Sequence, residues 1–218
     1  MTETSEDFVG ATRGSYDAIA EEYAARYPSS LLHPLDRSLV TAFAELARGG
    51  APVADLGSGP GGVTALLHEL GVPAFGIDLS PEMVALAREA HPQLRFHTGS
   101  MTSLDIPSAS LGGILALYST IHVPDAHLPR VFAEFHRTLR PGSPALLAFQ
   151  TRHSGEPAPH LHLSERFAQK IALDYYWRTA DQVIGLLVEA GLVLTATVRR
   201  EPMGEESRAR TFILARRP

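Results

Sequence analysis

The chain has 218 residues, no cysteine and a formal net charge of −5. This composition excludes disulfides and cysteine metal sites, and it carries no basic footprint for nucleic acid. No apolar stretch approaches the ~18 residues of a membrane span, and the acidic N-terminus is not a signal peptide. We therefore expect a single domain over residues 1–218, in a cytoplasmic protein that is a monomer or a homodimer and has neither nucleic acid nor a membrane as a partner.

Two helices are predicted at the start of the chain. Residues 15–27 carry Tyr16, Ile19 and Tyr23 at helical spacing. Residues 34–48 form the second helical stretch, which a glycine pair ends. Together they predict an N-terminal helical cap over residues 12–48.

A glycine-rich loop follows the first predicted strand. Residues 53–62 read V-A-D-L-G-S-G-P-G-G and precede a helix-like stretch. Glycines there permit positive φ and let a ligand approach the bare backbone. The free N–H groups at the start of a helix favour anionic ligand groups. The segment is therefore interpreted as a strand, a tight turn and a helix that together bind a nucleotide cofactor.

The loop alone is compatible with more than one cofactor. The glycines at 57, 59 and 62 satisfy G-x-G-x-x-G, the dinucleotide fingerprint, and Asp78 follows about 20 residues later. Asp55, however, stands where a dinucleotide-binding strand carries an apolar residue, and it favours a ligand with a positive centre. An NAD-dependent oxidoreductase and a non-catalytic cofactor-binding domain remain the alternatives.

Strand and helix patterns alternate from residue 52 to residue 150. Residues 73–80 contain a second predicted strand, which ends in Asp78. Ser80 is then the predicted N-cap of a helix and Pro81 its first residue. The next three predicted strands are residues 94–101, 111–120 and 144–150. This alternation predicts a parallel sheet with helices on both faces.

The last third of the chain breaks the alternation. Residues 151–178 contain an amphipathic piece over 164–173, and we expect this insertion to form a lid. Residues 179–190 read as a helix that Thr179 caps. Residues 192–200 and 208–216 are rich in β-formers and predict an antiparallel hairpin at the end.

The pattern D-x-G-x-G-x-G-G at residues 55–62 resembles motif I of the class I S-adenosylmethionine-dependent methyltransferases. Residues 139–142, L-R-P-G, match the turn that precedes strand five in that family. The resemblance covers residues 12–217. It implies an α/β, Rossmann-like fold with a seven-stranded sheet of order 3-2-1-4-5-7-6, an antiparallel last strand and helices on both faces.

The resemblance also implies a function. The cofactor would be S-adenosyl-L-methionine, the product S-adenosyl-L-homocysteine, and the acceptor a small molecule methylated at oxygen. In this family the acid at the end of strand two, here Asp78, binds both ribose hydroxyls, while the glycine loop holds the methionine end. The residues expected at the cofactor are Tyr16, Asp55, Gly57, Ser58, Gly59, Gly61, Asp78, Leu79, Met83, Ser100, Met101 and Tyr118.

Two histidines are candidates for catalysis. His122 lies just past strand four, where the family presents residues to the methyl acceptor, and an imidazole titrates in a range convenient for a base. A packed loop histidine is the alternative interpretation. His33, after the first helix, is the second candidate. A base is needed only if the acceptor must lose a proton early, so a carboxylate needs none and a phenol does.

The insertion contains three further histidines. His160 and His162 would share one side of a strand, which could suggest zinc together with His153. Because no carboxylate stands nearby in an obvious arrangement, we expect no metal and assign these side chains to the lining of a substrate pocket.

Overall fold

The computed structural model describes residues 5–27, 33–152 and 160–218, and of residues 5–7 the backbone only. The elements in chain order are α1 (Ser5–Arg26), α2 (Pro34–Leu46), β1 (Val53–Leu56), α3 (Gly62–Glu69), β2 (Ala74–Asp78), α4 (Pro81–Ala90), β3 (Arg95–Thr98), β4 (Gly113–Leu117), a 3-10 turn (Thr120–His122), α5 (Leu128–Thr138), β5 (Pro144–Gln150), β6 (His160–Arg166), β7 (Gln169–Tyr176), α6 (Ala180–Glu189), β8 (Val193–Arg200) and β9 (Arg210–Arg216).

A seven-stranded sheet of order β3-β2-β1-β4-β5-β9-β8 organises the chain. The first five strands are parallel, and β9 runs antiparallel to both β5 and β8. Since β8 and β9 are strands six and seven of the sheet, the predicted order 3-2-1-4-5-7-6 and the antiparallel last strand are confirmed.

The central strands are buried on both faces, as a parallel sheet between two helical layers requires. Every residue of β1 and β4 is buried. Phe43 of α2 packs with one face of the sheet, and Phe132 and Phe135 of α5 pack with the other. The order of strands reverses between β1 and β4, and in open α/β sheets ligands bind at the carboxyl ends of the strands at such a point.

Helix capping follows the sequence closely. Ser80 Oγ accepts a hydrogen bond from the Met83 N–H at 3.0 Å and so caps α4. Thr179 and Gln182 form a reciprocal capping box at the start of α6. Both helices begin where the sequence predicted.

Two elements differ from the prediction. Helix α1 begins at Ser5, ten residues earlier than predicted, because residues 5–14 contain two glycines and give no clear hydrophobic period. Residues 164–173, predicted only as an amphipathic piece, are part of the hairpin β6–β7. Its turn is Phe167–Ala168, both with positive φ (51° and 60°). Since glycine or asparagine normally marks such a turn, the sequence did not reveal the hairpin.

No helix within the described ranges combines the length and the apolar character needed to cross a membrane.

Candidate functional site

A cavity lies at the carboxyl ends of β1, β2 and β4, and α1 covers it. The sequence-predicted residues that line it are Tyr16, Asp55, Gly57, Ser58, Gly59, Asp78, Leu79, Met83, Ser100, Met101, Tyr118 and His122. The fold therefore brings these side chains together from separated parts of the chain.

The glycine loop exposes backbone to this cavity. Gly57 has a φ of 77°, and a Cβ there would collide with the side chain of Ser119. Gly59 has a φ of 52°, and a Cβ on it would meet none of the described atoms within 4 Å, so its backbone is open to a ligand. The buried Ser58 hydroxyl has no hydrogen-bond partner within the ranges that the structure describes. That oxygen lies beside Gly76, where an added Cβ would approach it to 2.5 Å.

Gly61 does not line the cavity, so its predicted place at the cofactor is not supported. It is the N-cap of α3 with a φ of 88°. A Cβ on Gly61 would approach the ring of Phe96 to 2.7 Å. Packing against Phe96 therefore requires glycine at this position. The neighbouring Gly62 lines the cavity.

Asp78, at the end of β2, fastens the glycine loop. Its Oδ2 accepts from the Gly59 N–H at 2.8 Å, and its Oδ1 accepts from the Ser80 N–H at 2.9 Å. Burial raises the pKa of this carboxyl, and the backbone hydrogen bonds oppose that shift. A carboxylate offers about four lone-pair sites. Asp78 can therefore hold the loop and still accept two hydroxyl donors from a ligand.

Asp55 lies deeper, at 2% exposure. Thr64 Oγ1 of α3 donates to Asp55 Oδ2 at 2.7 Å. Burial raises the pKa of Asp55 to about 7, and the hydrogen bond from Thr64 moderates the rise. A buried carboxylate beside a cavity is stabilised in its charged form by a cation, so this wall suits a positively charged ligand group.

The side of the cavity beyond Asp78 is mostly apolar. Met83, at 1% exposure, and Met101 line it together with Leu79. Ser100 also lines it, but its hydroxyl is 2.7 Å from Thr102 Oγ1 within the same turn. A flat apolar ring would fit this side, while the polar contact from Ser100 stays a prediction.

Helix α1 is fastened over the cavity at several points. Asp17 Oδ1 accepts from the Ser80 hydroxyl at 2.5 Å, which ties α1 to the start of α4. Ser15 Oγ accepts from the Ala172 N–H at 3.0 Å, which ties α1 to β7. Tyr16 and Tyr23 then face the cavity from this helix.

His122 is held by hydrogen bonds at both ring nitrogens. Its Nδ1 lies 2.8 Å from the carbonyl oxygen of Asp174, and its Nε2 lies 2.8 Å from Tyr16 Oη. Because a carbonyl can only accept, Nδ1 carries the proton, and Nε2 accepts from the tyrosine. Burial lowers the pKa of His122 to about 4. The imidazole is therefore neutral at pH 7, and its one lone pair is occupied.

His33 lies outside the set of residues that line the cavity. Its Nδ1 accepts from the Leu35 N–H at 3.0 Å, which makes His33 the N-cap of α2. The prediction that His33 acts in catalysis is therefore replaced by a capping role.

The described part of the insertion lies outside the lining of the cavity. Of the described residues 160–178, none lines the cavity. His160 Nε2 and His162 Nδ1 both lie within 2.9 Å of Asp174 Oδ1, so these side chains bind one another and do not line a pocket as predicted. In the described parts of the chain no group of side chains suits a metal ion. His153 lies outside the described residues.

Several lining residues were not predicted from the sequence. They include Phe8, Thr12, Tyr27, Thr102 and Val123. Tyr27 follows Tyr23 by four residues, a spacing that places both on one helix face. The hydroxyl residues carry no pattern of their own and become recognisable only in the fold.

Comparison with known proteins agrees with this geometry. Residues 53–142 match the family described as "Methyltransferase domain". That segment contains the glycine loop, Asp78 and His122. The motifs, the sheet order and this match agree with one another, and residues 53–142 are similar to the methyltransferase domain family within a fold of the class I S-adenosylmethionine-dependent methyltransferase type.

Individual relatives are similar over part of the chain. The demethylmenaquinone methyltransferase of Chlorobaculum parvum is 32% identical over 96 residues, which are 44% of this chain and 39% of that protein. The malonyl-[acyl-carrier protein] O-methyltransferase of Pectobacterium atrosepticum is 33% identical over 110 residues, 50% of this chain and 42% of that protein. The chain thus spans less than half the length of these curated relatives.

A solved structure extends the likeness in fold to the whole chain. The Burkholderia thailandensis 1,6-didemethyltoxoflavin-N1-methyltransferase, solved with 1,6-didemethyltoxoflavin and S-adenosylhomocysteine, superposes with a TM-score of 0.77. The match covers 100% of this chain and 92% of that one at 20% identity. At this identity the match bears on the fold alone.

Proposed function

We propose that this protein transfers the methyl group of S-adenosylmethionine to an oxygen atom of a small-molecule acceptor. The observation that carries the proposal is a single cavity in which Asp55, Asp78 and the open backbone of Gly59 meet an acceptor side formed by Tyr16 and His122. The Pectobacterium relative is named an O-methyltransferase, which supports the choice of oxygen. Neither the fold nor the relatives named above favour the NAD-dependent alternative.

The residues present fit the cofactor. The carboxylate of Asp78 has the spare lone pairs that a ribose diol requires. Asp55 supplies negative charge for the methionine end, which carries an ammonium and the sulfonium. Met83 and Met101 form the apolar sides of the adenine region. When bound, the cofactor supplies an activated methyl group.

The protein's contribution is then largely alignment. Displacement at a methyl carbon requires the acceptor atom, the carbon and the sulfur in line, and holding that geometry removes much of the barrier. Tyr16, fixed by its hydrogen bond to His122, and Tyr23 wall the acceptor side. The roof formed by α1 excludes water, which would otherwise solvate the acceptor oxygen.

Calorimetric titration tests the cofactor first. We expect S-adenosylhomocysteine to bind with micromolar affinity and NADH not to bind. Binding of NADH alone would mean that the loop serves a pyrophosphate and that methyl transfer is the wrong reaction. If S-adenosylhomocysteine binds but no acceptor in a broad hydroxyl and carboxyl panel consumes labelled S-adenosylmethionine, a non-catalytic binding domain is the better description.

The affinity for S-adenosylhomocysteine should depend on pH through Asp55. Because burial raises its pKa to about 7, the ionised form that faces the ligand ammonium is depleted as the pH falls below 7. We expect the affinity to decrease up to about tenfold per pH unit below that value. The ligand-free protein should show the opposite trend: the stability that the protonated Asp55 confers is present below pH ~4 and is lost as the pH rises through about 7.

Titration calorimetry between pH 5.5 and 8.5, with thermal melts of the free protein, measures both trends. An Asp55→Asn variant should bind weakly and without this pH dependence. A wild-type affinity that stays constant over the range would show that Asp55 does not face the cofactor's charge.

His122→Ala should retain cofactor binding and lose turnover. We expect the affinity for S-adenosylhomocysteine to stay within about threefold, while kcat falls on the order of a hundredfold because Tyr16 loses its fixed orientation. His68→Ala, an exposed histidine on α3, is the matched control. Rates should be measured against pH with an acceptor from the panel, and the wild type should show no inflection near pH 6.5 because His122 stays neutral. Unchanged turnover in the variant would make His122 a packing residue.

A further inference from the structure

The arginine at the end of β6 stands behind the acceptor side of the cavity. Arg166 is half-buried and donates to Tyr175 Oη at 2.7 Å and to Tyr27 Oη at 3.2 Å. Its guanidinium carbon also lies 5.6 Å from the ring centre of Tyr23. Tyr23 and Tyr27 line the cavity, so a cation lies one side chain behind this wall.

Arg166 differs from the buried arginines of the chain in its partners. Arg178 and Arg200, the two arginines that the described structure buries, each form an ion pair with an aspartate. Around Arg166, the described residues place tyrosine hydroxyls and aromatic rings, and no carboxylate lies at ion-pair distance. A half-buried charge without a counter-ion is unfavourable, and a ligand anion nearby would compensate it.

The hydrogen-bond directions leave a donor for such an anion. Arginine can only donate, so Tyr27 Oη is the acceptor in its bond with Arg166. The Tyr27 O–H proton is therefore free of that bond and can be directed to a ligand in the cavity. The guanidinium polarises this hydroxyl, which strengthens its bond to a negatively charged oxygen.

The described cavity wall contains no free base. Its carboxylates are Asp55 and Asp78, both at the cofactor end, and its histidine is His122, whose lone pair already accepts from Tyr16. A phenol or an alcohol would have to lose its proton during the reaction. A protonated amine would be repelled by Arg166. An acceptor that arrives already ionised meets neither obstacle.

We propose that the methyl acceptor is a carboxylate, bound through the Tyr27 hydroxyl with Arg166 as the positioning residue behind it. This inference rests on the proposed function. A carboxylate oxygen attacks the methyl carbon, the carbon–sulfur bond breaks, and its electron pair goes to sulfur. The products are a methyl ester and S-adenosylhomocysteine, and no proton is transferred.

A matched pair of probes tests the charge requirement. Phenylacetate and phenylacetamide have the same shape and differ in charge, and both are titrated into protein saturated with S-adenosylhomocysteine. We expect the wild type to bind phenylacetate at least about tenfold more tightly than the amide, the effect of one charge-assisted hydrogen bond. Arg166→Gln should abolish the preference, and Arg166→Lys should restore part of it. Tyr27→Phe, which keeps the ring, should reduce it.

Arg95→Gln, an exposed arginine on the edge strand β3, is the control and should keep the full preference. Because the ratio of acid to amide affinity is compared within each variant, a general loss of stability does not change it. Equal binding of the two probes, absence of phenylacetate binding, or a preference that persists in Arg166→Gln would overturn the proposal while leaving cofactor binding intact. Failure of S-adenosylhomocysteine to bind would instead overturn the proposed function itself.

Discussion

An Asp78→Ala variant will bind S-adenosylhomocysteine at least about a hundredfold more weakly than the wild type. The carboxylate would accept two ribose hydroxyls, and charged hydrogen bonds contribute about 1.5–3 kcal/mol each. The substitution also removes the bonds to the Gly59 and Ser80 N–H groups, which shape the loop itself. Both losses act in the same direction on affinity.

The two backbone hydrogen bonds of Asp78 also bear on the stability of the fold. A strand-end acid on its own contributes little to a hydrophobic core, but Asp78 connects the glycine loop to the start of α4. We therefore expect a moderate decrease in the melting temperature with the fold retained, as circular dichroism can verify. Asp181→Ala, an exposed acid on α6, serves as the control. Affinity within about fivefold of wild type, in a folded variant, would refute the ribose assignment (each tenfold step being about 1.4 kcal/mol).

Asp36→Ala should lower the free energy of unfolding by about 3–5 kcal/mol, the usual effect of removing one partner of a buried ion pair. Arg200 of β8 donates to both oxygens of Asp36 on α2, at 2.7 and 2.8 Å, and the two residues are 8% and 1% exposed. Glu206 also accepts from Arg200. Without Asp36 the guanidinium keeps one of its two carboxylates.

Urea unfolding at pH 7 measures the change, with the single variants Asp36→Leu and Arg200→Met and their double variant Asp36→Leu/Arg200→Met beside it. Because the double substitution removes both charges, it should be less destabilised than the sum of the single ones. Additive losses, or a change below about 1 kcal/mol in the single variant, would mean that the pair does not connect α2 to the sheet as the contacts indicate.

The cofactor half of the site was predictable from the sequence because its signals are local. The glycines at 57 and 59 predict a turn with positive φ. Ser80, followed by Pro81, predicts the start of a helix. Strand order followed from the resemblance to one family. The turn and the helix start each depend on a few consecutive residues, so a short stretch of sequence is enough to predict them.

The acceptor half was less predictable because its contacts are tertiary. Tyr16 and His122 are 106 residues apart, and nothing in either segment indicates that Nε2 would be occupied. The hairpin that carries Arg166 turns without glycine, so its strands were mistaken for an amphipathic piece. His33 was proposed as catalytic on its residue type, whereas the fold uses it as a cap.

Three tyrosines of the cavity lie outside the segment by which the chain is matched to a known family. Tyr16, Tyr23 and Tyr27, with Arg166 behind them, all lie outside residues 53–142, the segment that matches the methyltransferase family. A match over that segment therefore scores the glycine loop and Asp78 and leaves these tyrosines out. The part that distinguishes one acceptor from another can diverge without altering that score. Subfamilies of such proteins are better sorted by the residues on their first helix than by their percentage identity.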